Sequence, residues 1–132
     1  MNEKQTIQAS IKLMAKENYE KCKRTKKELM ENYDFSSNVT LKTIDACCWV
    51  FAGLYNGNKE QFEKGLKKYQ KYTLEGLELS AVEGCSFVEK DTDLSNYDSF
   101  EKYDDSEAVR QMGREIKKDY DNFTLMGKMM FS

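Results

Sequence analysis

"IDACCWVFAGLYNGN", residues 44–58, is the most apolar stretch of this 132-residue chain. It holds the only tryptophan, Trp49, and two of the four cysteines side by side, Cys47 and Cys48. It reads either as a functional centre (a metal site, a redox pair, a membrane anchor) or as the middle of a hydrophobic core. Leu41, Ile44, Cys48, Phe51 and Tyr55 recur at helical spacing, and Cys47, Val50 and Leu54 form a second stripe beside them. Two adjoining stripes cover most of a helical cylinder, which marks a buried helix. Cys-Trp-Val-Phe has strand propensity, but the length and the 3,4 spacing select a helix starting at 39 or 41 and ending at 55. The apolar run 46–55 is about half of the ~20 residues that a membrane span needs. Zinc sites space their cysteines two to four residues apart. Cys47 and Cys48 are adjacent, and Cys22 and Cys85 are isolated in sequence, so the cysteines read as small buried hydrophobes. Trp49 falls between the stripes, on the side of Asp45 and Ala52. It is either core or, if exposed, the best single binding anchor.

The rest of the chain is organised around this helix. Asn56-Gly57-Asn58 ends it, because Asn and Gly tolerate a left-handed cap, and Asn58 with Gln61 can start the next helix. That third helix begins at Lys59 with Phe62, Leu66, Tyr69 and Thr73 on its inner face. Leu74, Leu77 and Ala81 shift that face slightly. Gly65 and Gly76 lie inside the helix and each costs up to about 1 kcal/mol relative to Ala. They are weak points or places of close helix approach, and a break near Gly76 would give five helical pieces. Gly84 is the expected stop. Upstream, residues 3–33 read as one long helix with Ile7, Ile11, Met14, Cys22, Leu29 and Tyr33 on one stripe, interrupted by Asn18 and Thr25. Residues 34–38 are a turn. The last helix has the clearest pattern: Asp104 and Glu107 form a capping box, and Val109, Met112, Ile116, Tyr120, Phe123, Met126 and Met130 follow. The Met-rich end, residues 125–132, continues that stripe. Residues 85–104 are the least regular, either a short helix carrying Leu94, Tyr97, Phe100 and Tyr103 or a long acidic loop. The expected fold is all-α: one domain, 1–132, an antiparallel bundle of four main helices plus an acidic, partly helical insert.

Composition excludes several chemistries. With 39% hydrophobic residues, eight Tyr, seven Phe and seven Met, the chain can form one core, and it has no proline to break a helix. It has no histidine, which removes Ser-His and Cys-His nucleophile pairs and His-based metal sites. None of its seven glycines falls in a phosphate-loop pattern. No enzyme activity, cofactor or metal is therefore expected. The polar start lacks a secretion signal, so a soluble cytoplasmic protein with reduced thiols is expected, without membrane attachment. The bias toward Lys, Glu, Asn and Tyr fits AT-rich coding, as in a phage or mobile-element accessory protein.

Two binding surfaces stand out despite a net charge of only −2. The insert starts like a calcium loop at Asp91 and Asp93, but Asn96 stands where glycine is needed and Lys102 replaces the bidentate glutamate. Its acids interleave with aromatics, so Asp91, Asp93, Tyr97, Asp98, Phe100, Tyr103 and Asp104, with Trp49, are the candidate contacts to a partner protein. The second surface joins the basic run 21–27, "KCKRTKK", to the lysines of the third helix. If these face each other, Lys23, Arg24, Lys64 and Lys68 line a positive groove, with Tyr69 and Tyr72 nearby, for a small anionic, nucleotide-like ligand. Acidic neighbours dilute the basic run, so nucleic acid is not an expected partner. The expectation is a non-enzymatic interaction or inhibitor protein that binds a protein partner and self-associates as a homodimer or higher oligomer. The alternative is a small-ligand binder.

Overall fold

Among the described residues the chain forms four helices, α1 (Glu3–Met30), α2 (Val39–Asn56), α3 (Lys59–Ser80) and α4 (Glu107–Phe131), with one 3-10 turn at Phe35–Ser37. The structure is a computed structural model that describes residues 2–80 and 107–132. Among these residues there is no strand, and the fold is an all-α bundle. The starts of α1, α2 and α3 each have a local chemical cause. Asn2 and Gln5 make a reciprocal capping box on α1. Asn38 Oδ1 accepts the Leu41 N–H at 3.0 Å, and Asn58 Oδ1 accepts the Gln61 N–H at 3.0 Å. Gly57 ends α2 at φ 64°, the left-handed conformation that a glycine adopts without a Cβ clash. Asp34 caps the 3-10 turn by accepting the Ser36 N–H.

α2 lies at the centre. Leu41, Ala46, Val50 and Leu54 are fully buried, as two apolar stripes on one helix require. Its neighbours meet it in reversed order along the chain. On one side Lys16 lies over Tyr55 at 5.8 Å and Lys26 pairs with Asp45 at 2.7 Å. On the other side Gly53 abuts Phe62, Gly65 abuts Val50 and Gly76 abuts Val39. Two of these glycines are close-approach positions. A Cβ on Gly65 would stand 2.6 Å from the Val50 nitrogen, and one on Gly53 would stand 2.5 Å from the Phe62 nitrogen. The backbones of α2 and α3 therefore touch where side chains would hold them apart. α4 closes the core with Phe123, whose ring meets Phe51 at 5.5 Å and Tyr69 at 5.2 Å, both edge-to-face. Lys4 Nζ donates to the Ser132 carbonyl at 2.7 Å and ties the start of α1 to the end of α4.

Several expectations need correction. α1 stops at Met30, and Tyr33 lies beyond it, 56% exposed. Ile7, Tyr55 and Met112 sit on the predicted stripes but are exposed. α3 runs through Gly76 without a break. The Val39 methyl beside Gly76 leaves a gap of 3.2 Å to a would-be Cβ, much looser than at Gly65. The expected stop at Gly84, the insert and the cap Asp104 lie outside the described residues.

Candidate functional site

Trp49 is neither core nor free surface. It projects from α2 on the side of Asp45 and Ala52, half-buried, into a cleft of about 220 Å³. α1 supplies one wall with Tyr19, Lys23 and Lys26, and α3 contributes Gln61. Lys68, also on α3, places its ammonium 4.7 Å from the centre of the Trp49 ring. The helical period explains the convergence. Tyr19, Lys23 and Lys26 are successive i,i+3/i+4 positions on α1, and Gln61 and Lys68 are seven apart on α3. Both faces border α2 along the line Asp45–Trp49–Ala52. The cap at Asn58 fixes where α3 begins, and so where Gln61 and Lys68 fall.

The cleft is electrically asymmetric. Asp45 is the one acidic residue among those that line it, and it is already engaged by Lys26 at 2.7 Å with both side chains largely covered. Lys23 leans over the Tyr19 ring at 6.0 Å and Lys68 over Trp49. Lys68 over the indole and Lys23 on the α1 wall thus place two cations around the cleft, and the one acid that lines it is paired with Lys26. An anion entering here gains two charge contacts, and a flat ring gains an aromatic face.

The sequence-predicted ligand set is only partly assembled. Lys23 and Lys68 reach the cleft. Tyr72 sits one turn beyond Lys68, between Lys42 and Lys71, each 5.5 Å from its ring. Lys64 points along α3 to Glu60 at 3.2 Å, and Arg24 is exposed outside the cleft lining. Tyr69 drops out: it is 4% exposed, packs edge-to-face on Phe123, and burial pushes its hydroxyl pKa upward. Of the predicted partner-binding residues only Trp49 is described. Asp91, Asp93, Tyr97, Asp98, Phe100, Tyr103 and Asp104 lie outside the described residues. Lys26, Gln61 and Tyr19 belong to the cleft and were absent from the sequence-based set. Lys26 could have been found, since it sits in the quoted basic run one helical turn from Lys23.

The cleft also touches sulfur chemistry that the sequence hides. Cys48 also lines the cleft, and Cys22 on α1 and Cys48 are each the strongest influence on the other's thiol. Cys48, helped by Lys21, pulls the Cys22 thiol down to about 7, while Cys22 and burial push Cys48 up. Cys47 packs against the core and is held protonated by burial, pushed up to about 12. Among the described residues no group of three ligating side chains could hold a metal ion, and no described helix is long and apolar enough to cross a membrane. No protein-family model, curated protein or solved structure matches the chain.

Proposed function

We propose that this protein is a binding module for a small anionic ligand with a flat ring, nucleotide-like in chemistry, held in the Trp49 cleft. The observation that supports this reading is a half-buried Trp49 with Lys68 from α3 over its ring, in a cleft that Lys23 from α1 also lines. Energetics favour exchange at that ring. A lysine over an exposed aromatic is worth about 0.5–1 kcal/mol, while a stacked base is worth about 1–3 kcal/mol. An incoming ring displaces the Lys68 ammonium from the indole face and frees it to reach a phosphate. At about 220 Å³ the cleft is smaller than the roughly 300–1,000 Å³ that encloses a drug-sized ligand, so it takes in one moiety and leaves the rest on the rim. Stacking plus two exposed charge contacts, each up to about 1 kcal/mol, sums to a modest affinity, centred on about 1 mM.

Trp49 is the only tryptophan, so its fluorescence reports on this cleft alone. Titration with ATP should change the emission saturably, and Lys68→Gln and Lys23→Gln should each weaken binding about fivefold. Pyrophosphate and adenosine, tested separately, should each bind more weakly than ATP. A flat response to ATP at millimolar concentration removes the ligand reading. The partner-protein reading then becomes the alternative, and charge reversal at Asp91, Asp93 and Asp98 tests it.

A further inference from the structure

We propose that Cys22 and Cys48 are a peroxide-oxidisable dithiol that closes into a disulfide stapling α1 to α2. The inference rests on the register of these two helices, not on what occupies the cleft.

The contacts between α1 and α2 form a ladder. Lys16 lies over Tyr55, Tyr19 shares the cleft wall with Ala52, and Lys26 pairs with Asp45. Moving along α1 by three or four residues moves back along α2 by three or four. Cys22 and Cys48 fall on the rung between Tyr19/Ala52 and Lys26/Asp45, and each is the strongest influence on the other's thiol. Access is also built in. Cys22 is half-buried, and Cys48, though 8% exposed, forms part of the open cleft beside Lys23 and Lys26. The neighbouring cysteine is not an equivalent partner. Consecutive residues of an α-helix point about 100° apart, so a Cys47–Cys48 bond would require α2 to unwind at its most buried turn.

The chemistry balances with a hydroperoxide as oxidant. The Cys22 thiolate attacks the distal peroxide oxygen, an S–O bond forms and the O–O bond breaks. The leaving alkoxide or hydroxide takes up a proton as alcohol or water. Cys22 is then a sulfenic acid. Cys48 no longer donates to a charged sulfur, which removes one of the causes that hold its proton. Its sulfur attacks the Cys22 sulfur, the S–S bond forms, the S–O bond breaks, and hydroxide departs with the Cys48 proton as water. Two thiols give up two electrons in total, and one peroxide is reduced. Charge and burial support the order of steps: Cys48 and Lys21 favour thiolate at Cys22, whereas Cys22 and burial oppose it at Cys48 more than Lys26 favours it.

The test uses the full chain, reduced, freed of reductant and treated with hydrogen peroxide at pH 7. Non-reducing peptide mapping by mass spectrometry should find the Cys22 and Cys48 peptides joined, two hydrogens lighter, and separable by dithiothreitol. In Cys48→Ser the reaction should stop at a Cys22 sulfenic acid that dimedone captures. In Cys22→Ser capture at Cys48 should fall at least about tenfold, in proportion to the thiolate lost at neutral pH. The helical circular dichroism of each variant checks its fold, and the wild-type map stands without them. A main product joining Cys47 to Cys48, involving Cys85, linking two chains, or showing sulfinic acid at Cys22 without a cross-link overturns the proposal.

Discussion

Replacing Gly65 with alanine puts a methyl group where α2 and α3 touch backbone to backbone. The new Cβ would stand 2.6 Å from the Val50 nitrogen, 2.9 Å from the Trp49 carbonyl carbon and 2.9 Å from Val50 Cγ2. Ordinary contact begins at 3.4 Å, so the helices must separate by about 0.8 Å, the difference between 3.4 and 2.6 Å. Two of the three opposing atoms are backbone and cannot rotate away. Overpacking of this kind costs about 1–3 kcal/mol. Two unyielding backbone atoms put the cost at the upper end of that range; alanine returns about 0.8–1.0 kcal/mol of helix propensity, which leaves a net loss of about 2 kcal/mol. For a domain of this size that lowers Tm by about 4–8 °C. Gly76→Ala is the internal control. Among the described residues its Cβ meets one side-chain methyl, the Val39 Cγ1 at 3.2 Å, and no backbone atom of α2, so the propensity gain should dominate and Tm should hold or rise. Differential scanning calorimetry on the two variants measures the contrast. If Gly65→Ala is as stable as the parent, or if Gly76→Ala is the more damaging of the two, the close approach of α2 and α3 is wrong.

Three more outcomes are expected. Asp45→Asn should weaken the hold on Lys26 and lower stability by about 1 kcal/mol, yet tighten ATP binding about fivefold, since it removes the one acid among the residues lining the cleft; paired thermal and fluorescence titrations read both signs. Phe123→Leu removes two edge-to-face ring contacts, so the urea midpoint should fall by an amount equal to about 1–3 kcal/mol while the m-value stays constant. Alkylation of Cys22 by iodoacetamide should be half-maximal near pH 7, rising as pH rises and the thiolate forms. Cys48→Ala removes the hydrogen-bond donor and should move that midpoint up toward the ordinary thiol value of about 8.5.

The sequence carried α2 almost completely. Two apolar stripes, a flanking Asn-Gly-Asn and the absence of proline leave little choice for residues 39–56. The same logic located the α3 start, but it left Gly65 and Gly76 as either weak points or close approaches, and the contacts across α2 and α3 separate the two. Periodicity says which face of a helix is inward but not where the helix stops or how fully each residue is covered: Tyr33 lies beyond the end of α1, and Ile7 and Tyr55 keep their place on the stripe yet are exposed. Tyr69 could have been excluded from any ligand set by the helical period alone, since it belongs to the inner stripe with Phe62, Leu66 and Thr73. The Cys22–Cys48 contact was not legible. It depends on the register between α1 and α2, and that register is set by the turn through Phe35–Ser37 and by packing, neither of which is written in either helix.

One measurement addresses the ligand reading most directly. A single tryptophan gives a single indole N–H resonance, and in a ¹⁵N-labelled sample that peak belongs to the cleft. The account predicts that ATP shifts this resonance saturably, that pyrophosphate shifts it less, and that Lys68→Gln reduces the ATP affinity about fivefold. An indole peak that stays in place at saturating ATP, or that moves identically in Lys68→Gln, contradicts it.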